Sequence, residues 1–228
     1  MIITIDGPAA SGKSTVAQAI AQSLHIYYLS SGMLYRALSS CLLHHLDITL
    51  EQLKDCDIQI DNHCLNALHY NYDVQTGVLK IIVDGKDITP CLKEPFIDKA
   101  ASLVGENKNA RIFLLDIQRK LANKHDLVAE GRDAGSVVFP NATIKFYLTA
   151  SVEVRARRWL NDQIKLGNTT LTMEKALHII MERDERDMNR SHAPLAVYPD
   201  NIIIDNSVLD LDQTLALILS IITKVIKK

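Results

Sequence analysis

Residues 2–15 read Ile2-Ile3-Thr4-Ile5-Asp6-Gly7-Pro8-Ala9-Ala10-Ser11-Gly12-Lys13-Ser14-Thr15, and three textures follow one another within them. Ile2 to Asp6 is β-branched and apolar, which predicts a strand. Gly7 and Pro8 break the run, and from Ser14 the recurrence of Val16, Ala19, Ile20 and Leu24 is helical. Between strand and helix, Gly7 to Ser14 matches G-x-x-x-x-G-K-[ST] in the setting that the motif's mechanism needs. Glycines let successive backbone N–H groups point into one concavity, the helix N-terminus adds partial positive charge, and Lys13 supplies a mobile cation for the terminal phosphates. The Ser14 hydroxyl suits Mg2+, and Gly7, Pro8, Ala9, Ala10, Ser11, Gly12, Lys13, Ser14 and Thr15 form the candidate triphosphate site. The bland alternative is an ordinary glycine-containing turn with a solvated lysine. Motif and flanking elements agree against it, but they establish triphosphate binding and leave the reaction open.

Beyond Leu24 the chain keeps alternating. Ile26 to Leu29 is a second short apolar run, followed by Ser30, Ser31 and Gly32 and by a helical stripe of Met33, Leu34, Ala37, Leu38, Cys41 and Leu42. Residues 57–90 differ: short segments such as Ile58-Gln59-Ile60 and Val78 to Val83 lie between the turn pairs Thr76-Gly77 and Asp84-Gly85, which predicts an antiparallel β insertion. Helical patterning returns from about Pro95 to Asn123, with strands expected at Leu127 to Glu130 and Ile144 to Thr149. A charged helical stretch runs from Glu153 to Arg190 with an interruption around Gly167, then a strand at Asn201 to Ile204 and a closing helix from Leu211. Such alternation implies an α/β fold with a mainly parallel sheet covered by helices.

Composition narrows the partners. The 228 residues carry 25 Lys+Arg against 27 Asp+Glu, a net charge of −2, which argues against nucleic acid or an anionic membrane as the partner. With 47% apolar residues, the chain can bury a substantial core in one globular domain. Cys41, Cys56, Cys64 and Cys91 form no C-x-x-C pair and read as small buried hydrophobes in a reducing compartment. No basic leader precedes Ile2, and the apolar run from Leu215 to Ile222 falls short of the ~18 residues of a membrane span, so a cytoplasmic location is expected.

The ten arginines, at 36, 111, 119, 132, 155, 157, 158, 183, 186 and 190, leave residues 37–110 without one. Concentrated arginine without overall basicity suggests a local polyanion site, because the planar guanidinium fork suits bidentate phosphate contact. Arg183, Arg186, Asp187 and Arg190 share a helical face, although an exposed charge run laced by its own pairs would show the same pattern. Gly131-Arg132-Asp133 follows an apolar strand at its carboxyl end, where ligands bind in open α/β sheets; a buried Arg132–Asp133 pair is the structural alternative. Asn123-Lys124-His125-Asp126 formally fits the N-K-x-D of a GTP-driven switch, yet it precedes a strand instead of following one.

The stretches IDGPAASGKST, SSGMLYRAL, KAASLV with Arg111 nine residues beyond its serine, AEGRDAGSVVFP and RDERDMNRSHAPL, in this order, resemble bacterial-type cytidylate kinases of the nucleoside monophosphate kinase family. The resemblance implies a P-loop kinase core (1–32, 112–154 and 188–228), a monophosphate-binding lobe at 33–111 carrying the β insertion, and a helical lid at 155–187. It also implies ATP-dependent phosphorylation of CMP and dCMP by a monomer with Mg2+. On that likeness Arg36, Arg132 and Arg190 hold the acceptor phosphate with Ser31 nearby, and Arg183 and Asp187 contact the sugar. Ser102, Arg111 and Asp133 read the base, while Lys13, Arg132, Arg155, Arg158 and Arg186 serve catalysis. Asp133 would accept from the cytosine N4 amino group while Arg111 and Ser102 donate; uracil would set O4 against a carboxylate. Two departures concern magnesium: Ser30 stands where the family commonly has an acidic residue, and Glu130 where a relative can have Asp. Another monophosphate or a sugar-like acceptor is the nearest alternative within the class.

Overall fold

A computed structural model describes residues 1–45, 48–54, 60 and 67–227. The chain divides into two compact units, Met1–Ile20 with Glu130–Lys228, and Ala21–Ala129. In chain order the elements are β1 (Ile2–Asp6), α1 (Lys13–Leu24), β2 (Tyr27–Ser30), α2 (Ser31–His45), β3 (Leu68–Asp73), β4 (Val78–Val83), β5 (Lys86–Asp87), α3 (Pro95–Val104), α4 (Lys108–Ala122), β6 (Leu127–Gly131), β7 (Ile144–Thr149), α5 (Val152–Lys165), α6 (Met173–Asn189), β8 (Ile202–Asp205) and α7 (Leu211–Ile226). They form the expected α/β architecture: a parallel five-stranded sheet ordered β2-β6-β1-β7-β8, flanked by helices, and a separate three-stranded sheet β3-β4-β5.

In the first unit β1 pairs with β7 in parallel, Ile3 opposite Ile144 and Ile5 opposite Phe146, and β7 pairs with β8. Ile3, Ile5 and Phe146 are fully buried, so the apolar runs read in the sequence are the centre of the core. In the second unit the antiparallel insertion is present as β3, β4 and β5. Asp84 (φ 49°) and Gly85 (φ 77°) close β4 onto β5 with Val83 opposite Lys86, the left-handed pair of a two-residue hairpin turn. Of the segment Ile58-Gln59-Ile60, only Ile60 is among the described residues, and it is in no strand.

Two expectations are corrected. The helical patterning over Pro95 to Asn123 is two helices, because Asn107 turns its side chain onto Ala110 N (3.0 Å) and starts a new one after Gly105. Cys91 is exposed, unlike Cys41, which is buried; Cys56 and Cys64 lie outside the described residues. The N-cap of α2 is Ser30, whose Oγ accepts from Met33 N at 3.3 Å. Among the described residues no helix is long and apolar enough to cross a membrane.

Candidate active site

Between Asp6, the last residue of β1, and Lys13, the first of α1, the backbone takes left-handed conformations at Ala10 (φ 55°) and Gly12 (φ 92°). Gly7 cannot be replaced: its φ is 150°, and a Cβ there would lie 2.0 Å from Leu148 O on β7. The loop is braced by its carbonyls. Lys13 Nζ donates to Pro8 O (2.6 Å), Arg155 to Ala9 O (3.2 Å), and Asn206 Nδ2 to Ser11 O (3.1 Å) with Arg158 near the same oxygen (3.4 Å). A trans peptide points its C=O and N–H in opposite directions, so fixing the oxygens of Ala9 and Ser11 aims the N–H groups of Ala10 and Gly12 the other way. That is how a concavity of donors is made.

Two buried ions anchor this bracing. Asp184, on α6, accepts from Ala9 N (3.2 Å) and pairs with Arg155 (2.5 Å), and Arg155 also donates to Ala150 O (2.9 Å). Ala9 packs with Ala156, Ala176 and Ile180, where small residues admit the two helices α5 and α6 to close approach. Arg158 is engaged by Asn206 through its side-chain and backbone oxygens (3.0 and 2.9 Å). Arg155 and Arg158, two of the four arginines expected to serve catalysis, thus contact loop backbone in this structure. Arg186 is instead on the outer face of α6, bonded to Glu182 at 2.8 Å.

Around Lys13 the first unit gathers charge. Burial, then the neighbouring Arg132 guanidinium, and then Arg183 pull the Lys13 ammonium well below the ordinary lysine range, against Glu130 and Asp187, which hold it up. Arg132 pairs with Asp187 at 2.6 Å, and Arg190 approaches Asp133 at 3.4 Å while donating to Ala193 O at 2.6 Å. Burial would weaken the Arg132 charge, but the Asp187 carboxylate outweighs it and holds the guanidinium more firmly protonated. Asp187 is itself held below the usual carboxylate range: burial raises it, and Arg132, Arg183 and Arg190 together overcome that. The Arg132–Asp133 pair weighed from sequence is therefore replaced by two crossed pairs with α6 and its end. Arg183 acts on the Asp187 carboxylate together with Arg132, whereas Arg186 pairs with Glu182.

Glu130 and Asp6 were not read as site residues. Glu130 is buried and accepts from the Ser14 hydroxyl (3.1 Å), so a carboxylate and a hydroxyl oxygen adjoin at the start of α1, a donor set that suits a hard cation. Among the described residues no group of three or more His, Cys, Asp or Glu could hold a metal unaided. Asp6 accepts from Ala134 N (2.8 Å) and Gly135 N (2.7 Å), which ties the residues after Asp133 to the end of β1. Burial nevertheless pushes its carboxyl up to about 6, against those two amides.

In the second unit Arg36 of α2 pairs with Asp98 of α3 (2.5 Å). Ser102 follows Asp98 by one helical turn, and Arg111 of α4 donates to Gly105 O (3.2 Å) with its guanidinium 5.9 Å from the Tyr35 ring. Asp98 had no signal beyond that spacing. The Asn123-Lys124-His125-Asp126 stretch has a structural occupation: Asn123 ends α4, His125 stacks on Tyr27 at 4.4 Å, and Asp126 O accepts from Tyr27 N.

The family model described as cytidylate kinase matches residues 3–224. A cytidylate kinase of Thermodesulfovibrio yellowstonii is 36% identical over 218 residues, 96% of each chain. One of Shewanella baltica is 38% identical over 230 residues, 98% of this chain and 95% of the relative. Among solved structures, an uncharacterized protein from Eubacterium ventriosum aligns over 98% of each chain with a TM-score of 0.52 at 18% identity, a likeness of fold alone.

Proposed function

Because the chain belongs to the cytidylate kinase family, we propose that it transfers the γ-phosphoryl group of ATP to CMP and dCMP, yielding ADP with CDP or dCDP. Membership makes it a kinase acting on nucleotides. The observation that carries the finer reading is the meeting of Lys13, at the donor loop, with Arg132 and Arg183, which lower its affinity for a proton by their own charge. These cationic side chains, gathered beside Glu130 and Asp187, suit a polyanion, and a phosphoryl transfer joins two of them.

Donor phosphates enter the amide concavity of residues 7–15, with Lys13 exchanging Pro8 O for phosphate oxygen. Arg36, Arg132 and Arg190, with Ser31, take the acceptor phosphate; Arg183 and Asp187 take the sugar; Ser102, Arg111 and Asp133 take the base. The acceptor phosphate is already ionised at neutral pH, so positioning and charge neutralisation suffice and no strong base is needed. Ser14 and Glu130 are the residues that would hold Mg2+ beside the phosphates. A bound ion would supply neutralisation of the charge on the donor phosphate oxygens. Arg155, Arg158 and Arg186 remain the candidates for neutralising the transferred group, and of these Arg186 has the least to give up, a half-exposed contact with Glu182. Residues 33–111 act as the acceptor lobe and 155–187 as the lid of a cytoplasmic monomer.

The test is ADP formation with CMP, dCMP, UMP and AMP. CMP and dCMP are expected to be preferred, and a clear preference for AMP overturns the base-reading assignment. Lys13→Ala is expected to abolish turnover and leave CMP binding measurable by calorimetry. Loss of both together would mean that one site, not two, receives the phosphates.

A further inference from the structure

Within the second unit β2 and β3 are edge strands of different sheets, and two tyrosine hydroxyls join them. Tyr27 Oη, from β2, donates to Tyr70 O (3.1 Å) and accepts from Tyr72 N (2.9 Å), residues two apart on β3. Tyr70 Oη, from β3, donates to Tyr28 O (3.1 Å) and accepts from Ser30 N (2.8 Å), residues two apart on β2. Each hydroxyl thus does for the opposite strand what a neighbouring backbone would do, with one donor and one acceptor satisfied by a single oxygen. The Tyr27 ring is fixed in turn by His125, stacked 4.4 Å away, and by the edge of Tyr72 at 5.5 Å. Tyr72, two residues along β3 and equally buried, has a hydroxyl with no partner among the described residues.

Ser30 is where this joint meets the acceptor site. Its N–H is held by Tyr70 and its Oγ by Met33 N, so both ends of the residue are fixed just before α2 begins at Ser31. Ser31 and Arg36 are carried on that helix, and a rigid helix passes a displacement of its first turn on to the next. We infer that Tyr70, through its hydroxyl on Ser30 N, is a positioning residue for Ser31 and Arg36, so that the β insertion tunes acceptor affinity from outside the acceptor site. This rests on the proposal that Ser31 and Arg36 bind the CMP phosphate. A joint of two hydroxyls, unlike a ladder of backbone bonds, can be deleted one atom at a time, and that makes it testable.

Tyr70→Phe removes the acceptor of Ser30 N and the donor to Tyr28 O, and keeps the ring. The expected result is a rise of about tenfold in KM for CMP with KM for ATP unchanged within about twofold, in line with stranding one buried donor. Tyr72→Phe, which deletes a hydroxyl without a partner, is the control and leaves both constants unchanged. Equal rises in both constants, or no rise in either, overturn the inference, since a general loss of structure would not separate the two substrates. Should Tyr70→Phe fold poorly, amide hydrogen exchange at Ser30 in the unaltered protein decides. Saturating CMP must slow it, because coupling between joint and site is reciprocal, and unchanged exchange overturns the inference. If the unaltered protein does not bind CMP in calorimetry, the parent reading fails as well; if it binds and Tyr70→Phe binds equally, only the positioning role falls.

Discussion

The strand-to-helix turns from β1 to α1 and from β2 to α2 both deliver candidate phosphate ligands, and they are built in opposite ways. The turn from β1 to α1 is a loop of left-handed and glycine residues whose carbonyls are held by Lys13, Arg155, Arg158 and Asn206. The turn from β2 to α2 has no loop, since β2 ends at Ser30 and α2 begins at Ser31, and one side chain caps it. The difference follows from what each presents. A cradle of main-chain amides has no preferred local geometry and must be imposed by groups far along the chain. A turn that offers side chains needs one fixed residue, and the helix sets the rest.

If that contrast is right, removing a distant brace from the first turn costs far more than removing the local cap of the second. Arg155→Ala leaves Asp184 buried without its cation and is expected to destabilise the fold by about 3–5 kcal/mol, read as a lowered urea midpoint. A loss below about 1 kcal/mol would mean that the loop holds its shape unaided.

The next effect is on pH. Asp6, at the foot of the first turn, has its carboxyl raised to about 6 from 3.8, so the folded state binds the proton more tightly. The stability it contributes is complete below 3.8 and is lost as pH rises through about 6, a fall of about 2–3 kcal/mol across that window. Urea unfolding of the unaltered protein and of Asp6→Asn at pH 4 and pH 7 isolates it. The stability of the unaltered protein, measured against that of Asp6→Asn, is expected to fall by about 2–3 kcal/mol from pH 4 to pH 7, and a difference that stays constant or rises would assign the burial penalty elsewhere.

Smallest is the cap. Ser30→Ala should cost about 1 kcal/mol of stability, seen as a slightly lowered urea midpoint. A loss as large as that of Arg155→Ala would erase the distinction between the two turns.

Much of this was written locally. The strand, loop and helix at residues 2–24 and the strand at Ile144 to Thr149 follow from β-branched runs and helical spacing, because side-chain burial has the same period as the backbone that carries it. So does the hairpin at Asp84-Gly85, whose residue types suit left-handed backbone. The break at Asn107 was missed because a capping asparagine inside an apolar-periodic stretch leaves the period almost intact.

The sequence by itself determined the phosphate loop, the alternation of strands and helices and the concentration of arginine, since each is a matter of residue type at short spacing. Only the tertiary structure decided which arginine does what. It turned Arg155 and Arg158 onto loop carbonyls, joined Arg132 to Asp187 and Arg190 to Asp133, and gave Tyr70 and Tyr72, two residues apart on one strand, different occupations. These charges and hydroxyls have no partner until folding brings together residues far apart in the chain, from Tyr70 on Ser30 to Arg155 on Ala9, and a pairwise energy that depends on distance cannot be read from a spacing along the chain.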